Sequence, residues 1–209
     1  MNVLDLVLRL LADLCLIIVV SYLLSRTRFF REIVNQDFNA ANRIIFMLVY
    51  GLLSVYGTYS EVHLASGAFV NLRDLGPILA GLLGGPLVGL GAGLIGGIHR
   101  LWEGSFAAVP SAISTVVIGL AAGVVYNALR GNSPKPLAAV LLALAGQVFL
   151  LCLTLLLAKP FDQAVASVKL EAWPMILANG LGAGFLTLLV RQFVRQRQRE
   201  PSAFWDQIP

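Results

Sequence analysis

Arg73 and Arg100 stand near the two ends of an apolar, glycine-dense stretch, NLRDLGPILAGLLGGPLVGLGAGLIGGIHR, running from Asn71 to Arg100. An arginine among apolar membrane segments costs about 2.5 to 3.5 kcal/mol at the centre of a span, so it is read first as functional. Two guanidinium forks that converge on one point suit a small anion, a carboxylate above all. The plainer alternative pairs Arg73 with Asp74 or Glu61 and lets Arg100 snorkel to lipid phosphates. Ser111, Ser114 and Thr115 follow at helical spacing after Pro110. On the same side as Arg100 their hydroxyls would line a polar pocket; otherwise they bond back to their own helix. Asn71, Asn179 and Gln147 are weaker additions, each a single polar group able to bridge helices. No catalytic, cofactor or metal site is expected: Cys15 and Cys152 lie inside apolar runs and read as small hydrophobes, and no ligand cluster is spaced for a metal.

Whether the arginines meet depends on the chain between them. Glycine recurs at every fourth residue through Gly81, Gly85, Gly89, Gly93 and Gly97, which on a helix makes a stripe that neighbouring helices can approach closely. Pro86 interrupts it, lacking a backbone donor and disfavouring helix at the residue before it. A break at Gly84-Gly85-Pro86 gives two helices, Asp74 to Gly84 and Pro86 to His99, of about 16 to 21 Å, each too short to cross a core of about 30 Å upright. Such a hairpin returns both arginines to one side. A single unbroken helix would hold them about 40 Å apart, on opposite faces of the bilayer.

The chain is 58% hydrophobic and 12% charged, with a mean hydropathy of +0.82, about half the charged fraction of an ordinary soluble domain. It reads as an integral, all-α protein: a polytopic helical bundle with a broken glycine-rich hairpin. Leu4 to Leu24 is an anchor helix without a signal-peptide cleavage pattern, and its Arg9 and Asp13 are spaced to pair. Further spans run from Arg43 to about Tyr59, Pro110 to about Leu129, Leu137 to Leu157, and from Trp173-Pro174 to near Val190. The polar segment from Lys159 to Glu171 reads as a loop with an interfacial helix. A net charge of +4 is distributed beside apolar spans rather than along an aromatic-bearing stripe, which excludes a nucleic-acid surface.

With the hairpin, the basic segments Arg26 to Arg43, Arg130 to Lys135 and Arg191 to Arg199 share one side, which the positive-inside bias makes the cytoplasm. The amino terminus then lies outside, the carboxyl terminus inside, and both central arginines outside. With a continuous helix the bias nearly vanishes.

The Asn71 to Arg100 stretch, the Ser/Thr-bearing span after Pro110, and PMILANGLG from Pro174 to Gly182 together resemble the transmembrane sensor region of LytS-type histidine kinases, the five-transmembrane LytS-type receptor domain. The likeness covers roughly Arg43 to Arg191. The same hairpin is similar, more distantly, to the substrate-binding components of energy-coupling-factor vitamin transporters. The first resemblance implies a sensor of a small extracellular carboxylate such as pyruvate, linked to cell-wall or carboxylate-uptake regulation. It implies ligand contacts at Arg73, Arg100, Ser111 and Ser114, with serine where pyruvate-sensing members have a cysteine. Asn71, Thr115 and Asn179 are secondary pocket positions.

The expected organisation is an anchor helix (1–25), a cytoplasmic linker (26–42), the sensor domain (43–192) and a cytoplasmic tail (193–209). Few residues follow Gln198, so GAF and kinase modules are not expected within this chain. His63 and His99 lie in the membrane domain, no phosphoacceptor is assigned, and the chain by itself is expected not to be an enzyme. Its expected partners are the carboxylate, a cytoplasmic kinase, cyclase or other output module, a second copy in a homodimer, and the lipid bilayer. The alternative is the solute-binding membrane component of a transporter.

Overall fold

The computed structural model describes residues 3–27, 39–63, 69–129 and 135–199. Most of the linker, Gly67, most of the basic loop after Leu129 and the tail beyond Arg199 lie outside them. The described helices are α1 (Val3–Ser25), α2 (Ala40–Tyr59), α3 (Leu75–Gly84), α4 (Pro86–Glu103), α5 (Ala108–Ala128), α6 (Pro136–Leu157) and α7 (Phe161–Arg199). A two-residue antiparallel ladder, β1 (Val62–His63) with β2 (Phe69–Val70), sets Val62 opposite Val70. Five helices are long and apolar enough to cross a membrane: α1 over Leu8–Ser25, α2, α5, α6, and α7 over Phe161–Phe193. Their outward leucines, among them Leu48, Leu141 and Leu181, are exposed, as lipid-facing side chains must be.

At the centre lies α3, every residue of which is buried. Its sequence, LGPILAGLLG, is apolar on all faces, the pattern of a helix with no polar surface to offer. Gly85 separates it from α4 with φ 86°, a conformation that disfavours any side chain, and Pro86 opens α4 as its first residue. The segments on either side of Gly85 are therefore two helices, and they pack side by side. A Cβ on Gly89 of α4 would lie 2.8 Å from the Gly81 Cα of α3, whereas residues eight apart on one helix are separated by about 12 Å. The glycine stripe seats α5: a Cβ on Gly81 would meet the Gly119 carbonyl oxygen at 2.5 Å, and one on Gly93 the Thr115 carbonyl oxygen at 2.8 Å.

Three boundaries differ from the sequence reading. The second span begins at Ala40 rather than Arg43, because Asn39 caps it by accepting from the Ala41 amide. The fourth helix runs past His99 to Glu103, which lengthens it to 18 residues, about 27 Å. The largest correction concerns the last span: Trp173 and Pro174 do not open it. One helix runs from Phe161, with Pro174 inside it, so the segment taken as a loop is its first turns. Pro174 removes only the bond to the Leu170 carbonyl, and the turns on either side hold the helix together. At its other end α7 stays helical to Arg199, beyond the apolar part of the span.

The anchor helix packs along α7, where Tyr22 meets Phe193 edge to face at 5.3 Å between centroids. Asp13, expected to pair with Arg9, is buried and accepts a bond from Tyr56 of α2 at 3.0 Å. A carboxylate inside a span needs a donor, and a neighbouring helix supplies it.

Candidate functional site

The polar residues singled out from the sequence gather at one end of the bundle, where α2 and α4 finish, α5 begins, and β2 leads into α3. Tyr59 and His99, from the last turns of α2 and α4, share a hydrogen bond of 3.0 Å. Trp102, two residues after Arg100, and Trp173, two residues after Glu171, are both exposed, as tryptophans are at a membrane–water interface.

Arg73 is 1% exposed. Its Nε donates to the Thr115 hydroxyl at 3.2 Å, and that hydroxyl donates to Asp74 Oδ1 at 2.7 Å. The same carboxylate oxygen lies 3.8 Å from Nε. Thr115 thus works in both directions, as acceptor from the cation and donor to its counter-ion, tying α5 to the α3 entrance. Burial pushes the Arg73 pKa down from its ordinary value, opposed by Asp74 and reinforced by Arg100, yet a guanidinium keeps its charge. Gly57 of α2 makes the position possible: a Cβ there would lie 2.7 Å from the Arg73 Cα and 2.8 Å from its nitrogen.

Arg100 is 3% exposed and does not snorkel. Its Nη1 donates to Glu103 at 2.8 Å and its Nη2 lies 3.6 Å from Glu61 Oε2. Glu61 also accepts from the Asn71 amide at 3.1 Å, and Asn71 Oδ1 accepts from the Arg73 backbone at 3.4 Å. Asn179 of α7 donates to the Asn71 carbonyl at 3.0 Å. One network thus joins Arg73, Arg100, Asn71, Thr115 and Asn179, carried by Glu61 and Asp74. Ser111 is buried one turn before Thr115. Ser114 turns the other way and donates to the Gly146 carbonyl of α6 at 3.4 Å, while Gln147, next in sequence to that glycine, is buried within α6.

Neither guanidinium is fully used. Among the described residues Arg73 Nη1 and Arg100 Nε are buried with no hydrogen-bond partner, and an unsatisfied buried donor on a charged group is costly enough to call for an acceptor. Those two free donors, on arginines joined through Glu61 and Asn71, suit a small anion with two oxygens. No group of acids, histidines and cysteines able to hold a metal occurs among the described residues.

Two acids of this cluster were not read from the sequence. Glu103 was within reach of a spacing rule, since it lies three residues after Arg100 on one helix. Glu171, from α7, is buried and feels the charges of Glu61 and Arg100 without forming an ion pair with Arg100. Its only sequence signal was an acid in front of Trp173-Pro174, and only the register of α7 brings it to the site.

Residues 27–193 match a sequence family described as 5TMR of 5TMR-LYT. The chain is 31% identical over 205 residues to the sensor histidine kinase BtsS of Escherichia coli (strain K12), covering 96% of this chain and 36% of that protein. It is 28% identical over 201 residues to the sensor protein LytS of Bacillus subtilis (strain 168), covering 88% and 34%. With the sensor protein LytS of Streptococcus mutans the identity is 25% over 203 residues, again covering 88% and 34%. The chain thus spans about a third of the length of these curated relatives. No solved structure matches it.

Proposed function

Because this chain belongs to the LytS-type five-transmembrane receptor family, we propose that its arginine cluster is the binding site for a small extracellular carboxylate such as pyruvate, and that occupancy is relayed along α7 to a cytoplasmic output module. The chain is a multi-pass membrane protein carrying the membrane sensor region of LytS-type histidine kinases. The observation that carries the ligand reading is the pair of buried, unpartnered donors, Arg73 Nη1 and Arg100 Nε. A carboxylate supplies two acceptors and takes charge-assisted bonds from both, each contributing about 1.5 to 3 kcal/mol. Ser111, on the Thr115 face of α5, adds a hydroxyl. Ser114 contributes by fixing α5 against α6. The output is a kinase or cyclase acting in cell-wall or carboxylate-uptake control, and the working unit is a homodimer. The names of the relatives, sensors throughout, favour this reading over a transporter component.

The reading requires the arginine end to face outward, with the amino terminus outside and the carboxyl terminus in the cytoplasm. Single cysteines replacing Gly67 and Gly104, in a chain whose Cys15 and Cys152 are changed to serine, are both expected to react with a membrane-impermeant thiol reagent applied from outside. Reaction of one from each side places the two loops on opposite faces and removes the shared site.

Relay along α7 is testable at Gln192, exposed at the carboxyl-terminal end of the apolar part of the helix. Its arginine neighbours suit the anionic inner-leaflet surface. Spin labels on Gln192 of two protomers are expected to change separation when pyruvate is added to the full chain in nanodiscs. An unchanged distance at saturating pyruvate in a confirmed dimer contradicts signalling along this helix.

A further inference from the structure

About one turn inside the two arginines, four helices meet at Ser54, Gly76, Gly96 and Thr115. Chain direction sets that depth. Because α2 and α4 finish at the site, Ser54 lies a turn inside Thr58 and Gly96 a turn inside Arg100; because α3 and α5 begin there, Gly76 lies inside Arg73 and Thr115 inside Ser111. Close packing joins the four. A Cβ on Gly96 would meet the Ser54 hydroxyl and, at 3.5 Å, the Thr115 methyl. One on Gly76 would lie 3.1 Å from the Ser54 nitrogen. The Thr115 hydroxyl, on the same carbon as that methyl, is the one bonded to Arg73 and Asp74. Ser54 therefore belongs to the floor of the arginine cluster, and the next turn of α2 seats the Arg73 backbone against Gly57.

Of the two hydroxyls in this floor, only that of Thr115 is engaged. Ser54 is 0% exposed, and its Oγ has no hydrogen-bond partner among the described residues. A hydroxyl on a membrane helix ordinarily bonds the carbonyl four residues back, as Thr58 does to Ser54 at 3.4 Å and Thr154 to Leu150 at 2.9 Å. For Ser54 that acceptor is the Tyr50 carbonyl, and Gly76 of α3 packs against it instead. The Ser54 Oγ turns to Gly96, where the missing Cβ leaves room for it. Gly96 stands one turn before Arg100 on α4, so the hydroxyl is presented beneath the arginine whose Nε is unpartnered. Such a group is able both to donate and to accept, and it is costly to bury unused.

Resting on the carboxylate-site reading, we propose that Ser54 is a further specificity-determining residue of the arginine site: its hydroxyl donates to an oxygen on the carbon next to the ligand carboxylate, so the site selects 2-oxo acids over acids without that oxygen. The two arginines supply one donor to each carboxylate oxygen and leave the rest of the ligand unread, since any short acid offers them the same group. A 2-oxo acid carries its third oxygen on the adjoining carbon. A hydroxyl one turn beneath the guanidiniums meets that oxygen while the arginines hold the carboxylate. Thr115 cannot take this part, because its hydroxyl already donates to Asp74 and accepts from Arg73. An acid with a methylene at the same carbon leaves the Ser54 hydroxyl buried and unpaired, which is how a polar pocket rejects an analogue lacking the matching group.

The test titrates the full chain in nanodiscs with pyruvate and with propionate, which has hydrogens in place of that oxygen, and melts each variant without ligand. The wild type is expected to bind pyruvate about tenfold more tightly than propionate, the worth of one neutral hydrogen bond. Ser54→Ala is expected to weaken pyruvate binding to the level of propionate and to leave propionate binding where it was. It should melt no lower than the wild type, because the hydroxyl it removes bonds nothing within the protein. Retained propionate binding shows that the variant is folded with both arginines in place. Equal binding of the two acids by the wild type, an unchanged ratio between them in Ser54→Ala, or a lower melting temperature of that variant overturns the proposal. If pyruvate binding is lost in Arg100→Ala, each of those results leaves the arginine site standing. If the wild-type chain binds neither acid, the site reading fails and this inference with it.

Discussion

Replacing either Arg73 or Arg100 by alanine is expected to weaken binding of a pyruvate-like carboxylate by about 2 to 5 kcal/mol, the range for truncating one partner of a buried charge pair. On the proposed binding mode neither can stand alone. Arg73 commits its Nε to Thr115 and keeps Nη1 in reserve, while Arg100 commits both terminal nitrogens to Glu103 and Glu61 and keeps Nε. Each contributes one free donor, so losing either halves the charge-assisted contact. Lysine is expected to rescue only in part, because one ammonium cannot hold its resident partner and the ligand in the same planar geometry. Ser111→Ala should cost less, on the order of 1 kcal/mol, the size of a neutral hydrogen bond. The double arginine variant should fall short of the sum of the singles, since both act on one ligand. Melting each variant without ligand separates loss of the site from loss of the fold.

The second large effect concerns packing. Gly81→Ala is expected to destabilise the chain by about 1 to 3 kcal/mol, the cost of overpacking a close contact. The new methyl would sit 2.5 Å from the Gly119 carbonyl oxygen and 2.7 Å from the Gly123 nitrogen and the Ala122 Cβ. Two of these three are backbone atoms, so α3 and α5 must separate, and Gly81→Leu should abolish the folded protein. Gly180→Ala is the control. There the new methyl meets only the movable end of Leu144 at 3.3 Å, and alanine's better helix propensity, about 1 kcal/mol over glycine, should leave stability unchanged or raised. Thermal unfolding in one detergent compares the two. Equal melting temperatures would contradict the close approach of α3 and α5, on which the position of Thr115 beside Arg73 depends.

These outcomes bear on what the sequence made legible. Apolar runs of spanning length are a strong signal, and the five long helices appear where such runs do. The step at Gly85 was readable because Gly-Gly-Pro combines a residue tolerant of positive φ with one that cannot continue a helical bond. Pro174 misled for the same reason: proline opens helices more often than it sits within them, and nothing local distinguishes the polar turns from Phe161 to Glu171 from an interfacial segment. The Val62–Val70 ladder left no trace, since two residues are too few to show alternation.

At the site, Arg73 and Arg100 drew attention through cost alone, and Thr115 and Asn179 through composition. That Thr115 holds Arg73 and Asp74 together, while Ser114 faces α6, depends on rotation about α5, which spacing does not fix. Glu171 is the sharpest case, because its burial in α7 follows from the register of a helix whose start was placed twelve residues late.

Whether the arginine cluster holds a carboxylate is read by calorimetric titration. Purified wild-type chain is titrated with a panel of small carboxylates beside Arg73→Ala and Arg100→Ala. Saturable binding of a pyruvate-like anion by the wild type, lost in both variants, is expected. Equal binding by all three would put the pocket elsewhere, and absence of binding by any would leave the two arginines as members of a structural ion-pair network.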